Sequence, residues 1–137
     1  MASVLKVDTL KDASGNNSVA MSTVSNGLPK GYAHWNQETP AIVDSMNTSS
    51  ITDTSAGVGG INWSSAMSSA TYMCTTGAPT VASTTPYIVA TMDDAIYGYQ
   101  TKTTTFWPFN TGYSHATAGA AYYDSRGSIC SAMGDLA

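Results

Sequence analysis

Nowhere in these 137 residues does an apolar stripe of period 3.6 persist for the ~10–12 residues that a packed helix needs. Short runs of β-branched and aromatic residues recur instead, separated by Gly, Pro, Asn, Asp and Ser. Tyr32–Trp35, Ala41–Met46, Ser49–Thr52, Ile61–Trp63, Tyr72–Cys74, Tyr87–Met92, Tyr97–Trp107, Ala116–Tyr123 and Ser128–Met133 read as strands. At most one helical turn fits, over Asn62–Ala70. Strands this short, with turn signals between them, predict an all-β domain over residues 32–137, of β-sandwich or jelly-roll-like type.

Composition narrows the class. Ser and Thr supply 37 residues, interleaved with apolar ones as outward strand positions would be. Charged residues make up only 10%, against the usual ~25%. Five scattered cations and a net charge of −4 leave no basic footprint, so neither nucleic acid nor an anionic membrane is an expected partner. Thirteen aromatics within 42% apolar residues can fill a core, which argues against disorder. No apolar run approaches the ~20 residues that span a bilayer. Lys6, Asp8, Lys11 and Asp12 crowd the first twelve residues, so no secretory leader is expected there. Cys74 and Cys130 then read as two buried thiols rather than a disulfide. N-x-S/T sequons begin at Asn16, Asn47 and Asn62, and they matter only on a glycosylating route.

Residues 1–26 read as an appendage. Val4–Leu10 is a strand with Leu5 and Val7 on one face, and Leu10 ends it. Lys11–Asn17 is turn chemistry. Ser18–Val24 is a second strand with Val19 and Met21 on one face. A lone hairpin of this size is marginal in water and must pair with something. Leu5, Val7, Leu10, Val19 and Met21 are therefore the candidate attachment or self-association residues. Residues 27–31, with Pro29 between Gly27 and Gly31, read as a linker that neither helix nor strand crosses.

Catalytic patterns are absent. Asp93 and Asp94 are adjacent, so on a strand they point to opposite faces and cannot flank one bond. His34 and His115 stand about eighty residues apart with no metal-ligand spacing, so no metal or other cofactor is expected. No G-x-S-x-G occurs, and Gly57-Val58-Gly59-Gly60 reads as a turn rather than a phosphate loop. One local feature has functional content. Tyr97, Tyr99, Phe106, Trp107, Phe109 and Tyr113 place six aromatics within seventeen residues, with Gln100, Asn110 and Thr103–Thr105 among them. Aromatic faces beside short polar groups suit a receptor surface of sugar or protein. Packing in a core or subunit interface is the competing reading. Pro108 marks a strand end, since it cannot donate to a central ladder.

Several segments are specific. Val4-Leu5-Lys6-Val7-Asp8-Thr9-Leu10 followed by Asp12-Ala13-Ser14-Gly15-Asn16-Asn17 resembles the "LKVDTI…DASGNN" opening of many tail-fibre and other virion proteins of marine and freshwater bacteriophages, including cyanophages. Pro29-Lys30-Gly31-Tyr32 with Trp35-Asn36 resembles their "PKAWVNFN". Asp44–Asp53 resembles "DSFNVSSITD", and Ile61–Met67 with Ala70-Thr71-Tyr72 resembles "VNFTTAM…ANY". The terminal Gly134-Asp135-Leu136-Ala137 is similar to their endings. The stretch from about Val81 to Tyr123 departs from the pattern. The resemblance implies a virion structural protein without catalytic residues, typically a β-rich homotrimer made in the host cytoplasm. An N-terminal segment would attach to other virion proteins of the tail, baseplate or capsid. A C-terminal β-domain would project toward a host surface glycan or protein. A trimeric capsid decoration protein, whose arm clamps the head shell, is the alternative role.

Overall fold

Antiparallel pairing accounts for nearly all of the regular structure. The computed structural model describes residues 6–15, 17–77, 88–93, 100–115 and 119–137. A two-stranded hairpin, β1 (Thr9–Lys11) with β2 (Ser18–Ala20), is followed by one short helix, α1 (Met21–Gly27). Two larger sheets follow. One has the order β4-β3-β11-β7, from β3 (Pro29–Asn36), β4 (Ala41–Met46), β7 (Met73–Gly77) and β11 (Ser128–Met133). The other has the order β10-β9-β6-β5, from β5 (Thr48–Ser55), β6 (Val58–Trp63), β9 (Phe106–His115) and β10 (Gly119–Tyr122), and β8 (Ile88–Asp93) also pairs with β9. Among the described residues the chain is therefore all-β apart from α1.

Period-2 alternation sorts the side chains. On β11, Ser128, Cys130 and Ala132 are buried, while Ile129 is half exposed. Gly31, Ala33 and Trp35 of β3 stand opposite them on the same face. On β9, Trp107, Phe109 and Thr111 share a face. The two faces meet in one core. Trp35 lies 4.8 Å from Phe109 and 6.2 Å, edge to face, from Trp107. Trp63 and Tyr72 form a second edge-to-face pair at 6.2 Å, in the same cluster. The indole N–H of Trp63 donates to Tyr72 Oη at 3.0 Å, and that hydroxyl donates onward to the Phe106 carbonyl at 2.9 Å.

Four expectations need correction. Residues 21–27 are helix, not the end of a strand, because β1 offers only three partners to β2. The Met21 N–H makes the last bond to the other strand, to the Asp8 carbonyl at 2.9 Å, and beyond it the backbone satisfies itself locally. Pro29 and Gly31 belong to β3, so residues 27–31 are not a free linker. Pro108 sits inside β9, paired with Gly60. Thr111 donates to the Gly57 carbonyl and Thr105 accepts from Trp63, so odd residues of β9 bond toward β6. Pro108 thus turns its ring nitrogen to the opposite edge, where the ladder with β8 starts only at Phe109. The expected strand over 97–107 also shifts, since residues 100–105 are irregular and β9 begins at Phe106.

Candidate functional site

No described residue of the arm is deeply buried. Every described residue of β1 and β2 is exposed, with Leu10 and Val19 at 47% and 36% and Val7 at 38%. Met21 opens α1 and is half-buried. Leu5 lies outside the described residues. The hairpin is shaped by its turn. The Asp12 carboxylate accepts from Ser14 Oγ at 3.1 Å and Asn17 Nδ2 at 2.7 Å, and the Asp12 N–H donates to the Asn17 carbonyl. The α1 helix has no side-chain N-cap and no acidic residue in its first turn. Lys30 supports it from outside: its Nζ donates to the Ser25 carbonyl at 2.6 Å, near the negative end of the helix.

The aromatic segment divides. Trp107 and Phe109 are fully buried, so they are corrected from contact candidates to core residues. The reason is register: their β9 face is the one turned to Trp35. Phe106 is half-buried, with its ring against Gly60 of the neighbouring strand. Tyr97 and Tyr99 lie outside the described residues. Among the described residues of the segment, Tyr113 alone reaches a surface feature. It shares the Trp107 face, two residues beyond Thr111, and meets Tyr123 edge to face at 6.1 Å.

Around Tyr123 the chain gathers a corner that sequence reasoning missed. Tyr123 Oη donates to Glu38 Oε1 at 3.2 Å, and Arg126 Nε donates to Glu38 Oε2 at 2.6 Å. Asp124 accepts from the Gly57 N–H at 2.6 Å. Glu38 and Arg126 are the chain's only Glu and only Arg, which was the available signal. Burial, then the bond to Glu38, raises the Tyr123 phenol above its ordinary range. The Glu38 carboxylate likewise raises the Arg126 guanidinium. The ion pair is solvated, with the Arg126 side chain 75% exposed, so it contributes little to stability. Glu38 and Asp124 outnumber Arg126, so the corner suits neutral, hydroxyl-rich or cationic contacts better than anions.

Among the described residues no three His, Cys, Asp or Glu groups gather as a metal site, and no helix is long and apolar enough to cross a membrane. His34 lies on β3 facing away from the core, half-buried; the side chain of His115 is outside the described set. Neither Cys74 nor Cys130 forms a disulfide; Cys130 is buried and Cys74 half-buried. Cys74 stands opposite Ala132, not Cys130. Burial pushes the Cys130 thiol up to about 12, so it stays protonated and makes a poor nucleophile. Comparison with protein families, characterised proteins and solved structures found no match to this chain.

Proposed function

We propose that this chain is a non-enzymatic structural protein of a bacteriophage virion, of the tail-fibre or receptor-binding type. The observation that carries the reading is the arm, a hairpin of three-residue strands whose side chains are all exposed. Such a hairpin is marginal in water. It gains stability by pairing or packing with another subunit or another virion protein. The "LKVDTL…DASGNN" segment, where the resemblance to virion proteins is strongest, covers this same element.

In this reading the chain assembles as a homotrimer through residues 1–26. The two larger sheets are the layers of a jelly-roll-like sandwich, as their shared core supports. The projecting domain presents the Tyr113–Tyr123–Glu38–Arg126 corner to a host surface, in place of the buried Trp107 and Phe109. A Ser/Thr-rich surface with few charges tolerates varied salt, which suits a particle exposed to open water.

Gold-labelled antibody imaging on intact particles tests the assignment. Label at the tail tip is the expected result. Label spread over the head would replace it with the decoration role, in which the arm clamps capsid subunits. No label on particles would remove the virion assignment altogether.

A further inference from the structure

The core that holds the two sheets together changes character toward one end. Along β3, the inward residues Gly31, Ala33 and Trp35 are followed by Gln37, which is 1% exposed. Along the facing β9, Trp107 and Phe109 are followed by Thr111, also fully buried. Ser125 and Ser128 complete this end, with 2% and 0% exposure. Their hydroxyls bond each other, and the Gln37 N–H donates to the Ser125 carbonyl at 2.8 Å. The Gln37 side chain, however, finds no protein partner for either Nε2 or Oε1. The indole N–H of Trp35, two residues back on the same face, is also buried without a protein partner.

A primary amide buried with both ends unmatched carries the full cost of its desolvation. Native interiors avoid that cost by binding ordered water where two to four polar groups converge. We infer that this end of the core is a binding site for ordered water, organised around the Gln37 amide. Water fits better than the other small ligands. Gln37, Ser125, Ser128 and Thr111 carry no charge that would neutralise an ion. Their burial leaves no route for a larger molecule. Gln37 offers both a donor and an acceptor, which water alone matches in both senses at that size. The inference is independent of the virion reading, since it concerns how the fold satisfies its own polar groups.

Water-selective nuclear Overhauser spectroscopy on the ¹⁵N-labelled full chain tests it. Cross-peaks from the Gln37 Nε2 protons to a long-lived water are expected. Their absence overturns the inference, whatever else is seen. Gln37→Met provides the second reading. With water bound, the variant loses its organising amide and melts about 3–8 °C lower. A Gln37→Met chain that melts higher overturns the inference, because removing a dry, unmatched amide relieves a cost. Should Gln37→Met fail to fold, the wild-type cross-peaks decide alone.

Discussion

At the scale of single residues, Asn47 does the most with one side chain. It is the only described non-glycine residue with positive φ, at 54°. It stands where the chain leaves β4 for β5, passing from one sheet to the other. Its Nδ2 donates to the Lys30 and Ser65 carbonyls at 3.0 and 3.2 Å, its Oδ1 accepts from the Ser65 N–H at 2.7 Å, and its carbonyl accepts from Ser64. Asn tolerates the left-handed region better than other L residues because its amide bonds locally. Asn47→Gly should cost about 1–2 kcal/mol, from the lost amide bonds alone. Asn47→Ala should cost about 2–4 kcal/mol, because backbone strain is added. Urea unfolding of both variants checks the order; equal losses would mean that strain plays no part. Asn47 also begins a sequon, and its amide is already engaged in the fold.

Cys130 makes a different residue-scale argument. Its thiol titrates near 12 in the fold and at 9.0 when unperturbed. A proton-losing group raised on folding stabilises fully below the unfolded value. That contribution is lost as pH rises from about 9 toward 12, by about 1.4 kcal/mol per unit at most. Tyr32 and Tyr123 are raised as well, so alkaline loss is shared. Unfolding free energies measured from pH 8 to 11 should decline less steeply in Cys130→Ala than in the native chain. Parallel slopes in the two proteins would show that Cys130 contributes nothing to the decline.

Elements show where reading by pattern succeeds and where it stops. β4 and β11 are found at the residues where the pattern of the sequence puts them; in β11 burial alternates cleanly, while in β4 only Ile42 and Ser45 are half-buried. α1 was invisible because its sequence, Met-Ser-Thr-Val-Ser-Asn-Gly, favours a strand as much as a helix. What decides is the length of β1, a non-local fact. Pro108 misled for a similar reason: which edge lacks a donor depends on the register with β6 and β8. The aromatic cluster was legible as a cluster, but burial of Trp107 and Phe109 depends on which strands lie opposite. Glu38, Tyr123 and Arg126 come together across more than eighty residues, and beyond Glu38 and Arg126 being the sole Glu and sole Arg the sequence carries no sign of it.

The junction of β6 and β10 is the sharpest element-scale case. Both strands lie along one edge of β9 and meet at Thr111, whose N–H donates to Gly57 and whose carbonyl accepts from Tyr123. Gly57 has φ +70°, and an added Cβ would crowd the Thr111 carbonyl and lie 2.5 Å from the Tyr123 nitrogen. The sequence marks this glycine only as a turn. Gly57→Ala should therefore destabilise by about 2–4 kcal/mol, more than a turn glycine in open space. Gly119, with φ +78° and nothing near its Cβ position, is the internal control and should lose about 1 kcal/mol. Equal losses at the two sites would mean that close packing at the junction adds nothing to the strain.

For the whole molecule, the division between a buried domain and an exposed arm sets the last prediction. The domain has its own core of Trp35, Ile61, Trp63, Trp107 and Phe109. No described residue of the arm belongs to it. Charge placed on the arm should then leave domain stability alone while abolishing whatever the arm holds. Leu10→Asp with Val19→Asp puts two carboxylates opposite each other in the β1–β2 register. The variant should melt within about 2 °C of the native chain, since surface changes away from the core cost little. Under the proposed function the native chain should sediment as a trimer and enter particles, and the charged variant should sediment as a monomer and be missing from them. A charged arm that still assembles and still enters particles would move the interface elsewhere. The open face of β11 and β7, where Ile129 and Met73 are more than half exposed, would be the next surface to mutate. Loss of assembly together with a lower melting temperature would point the same way from the opposite side. It would mean that arm and domain fold as one unit, and that the exposed hairpin is structure before it is attachment.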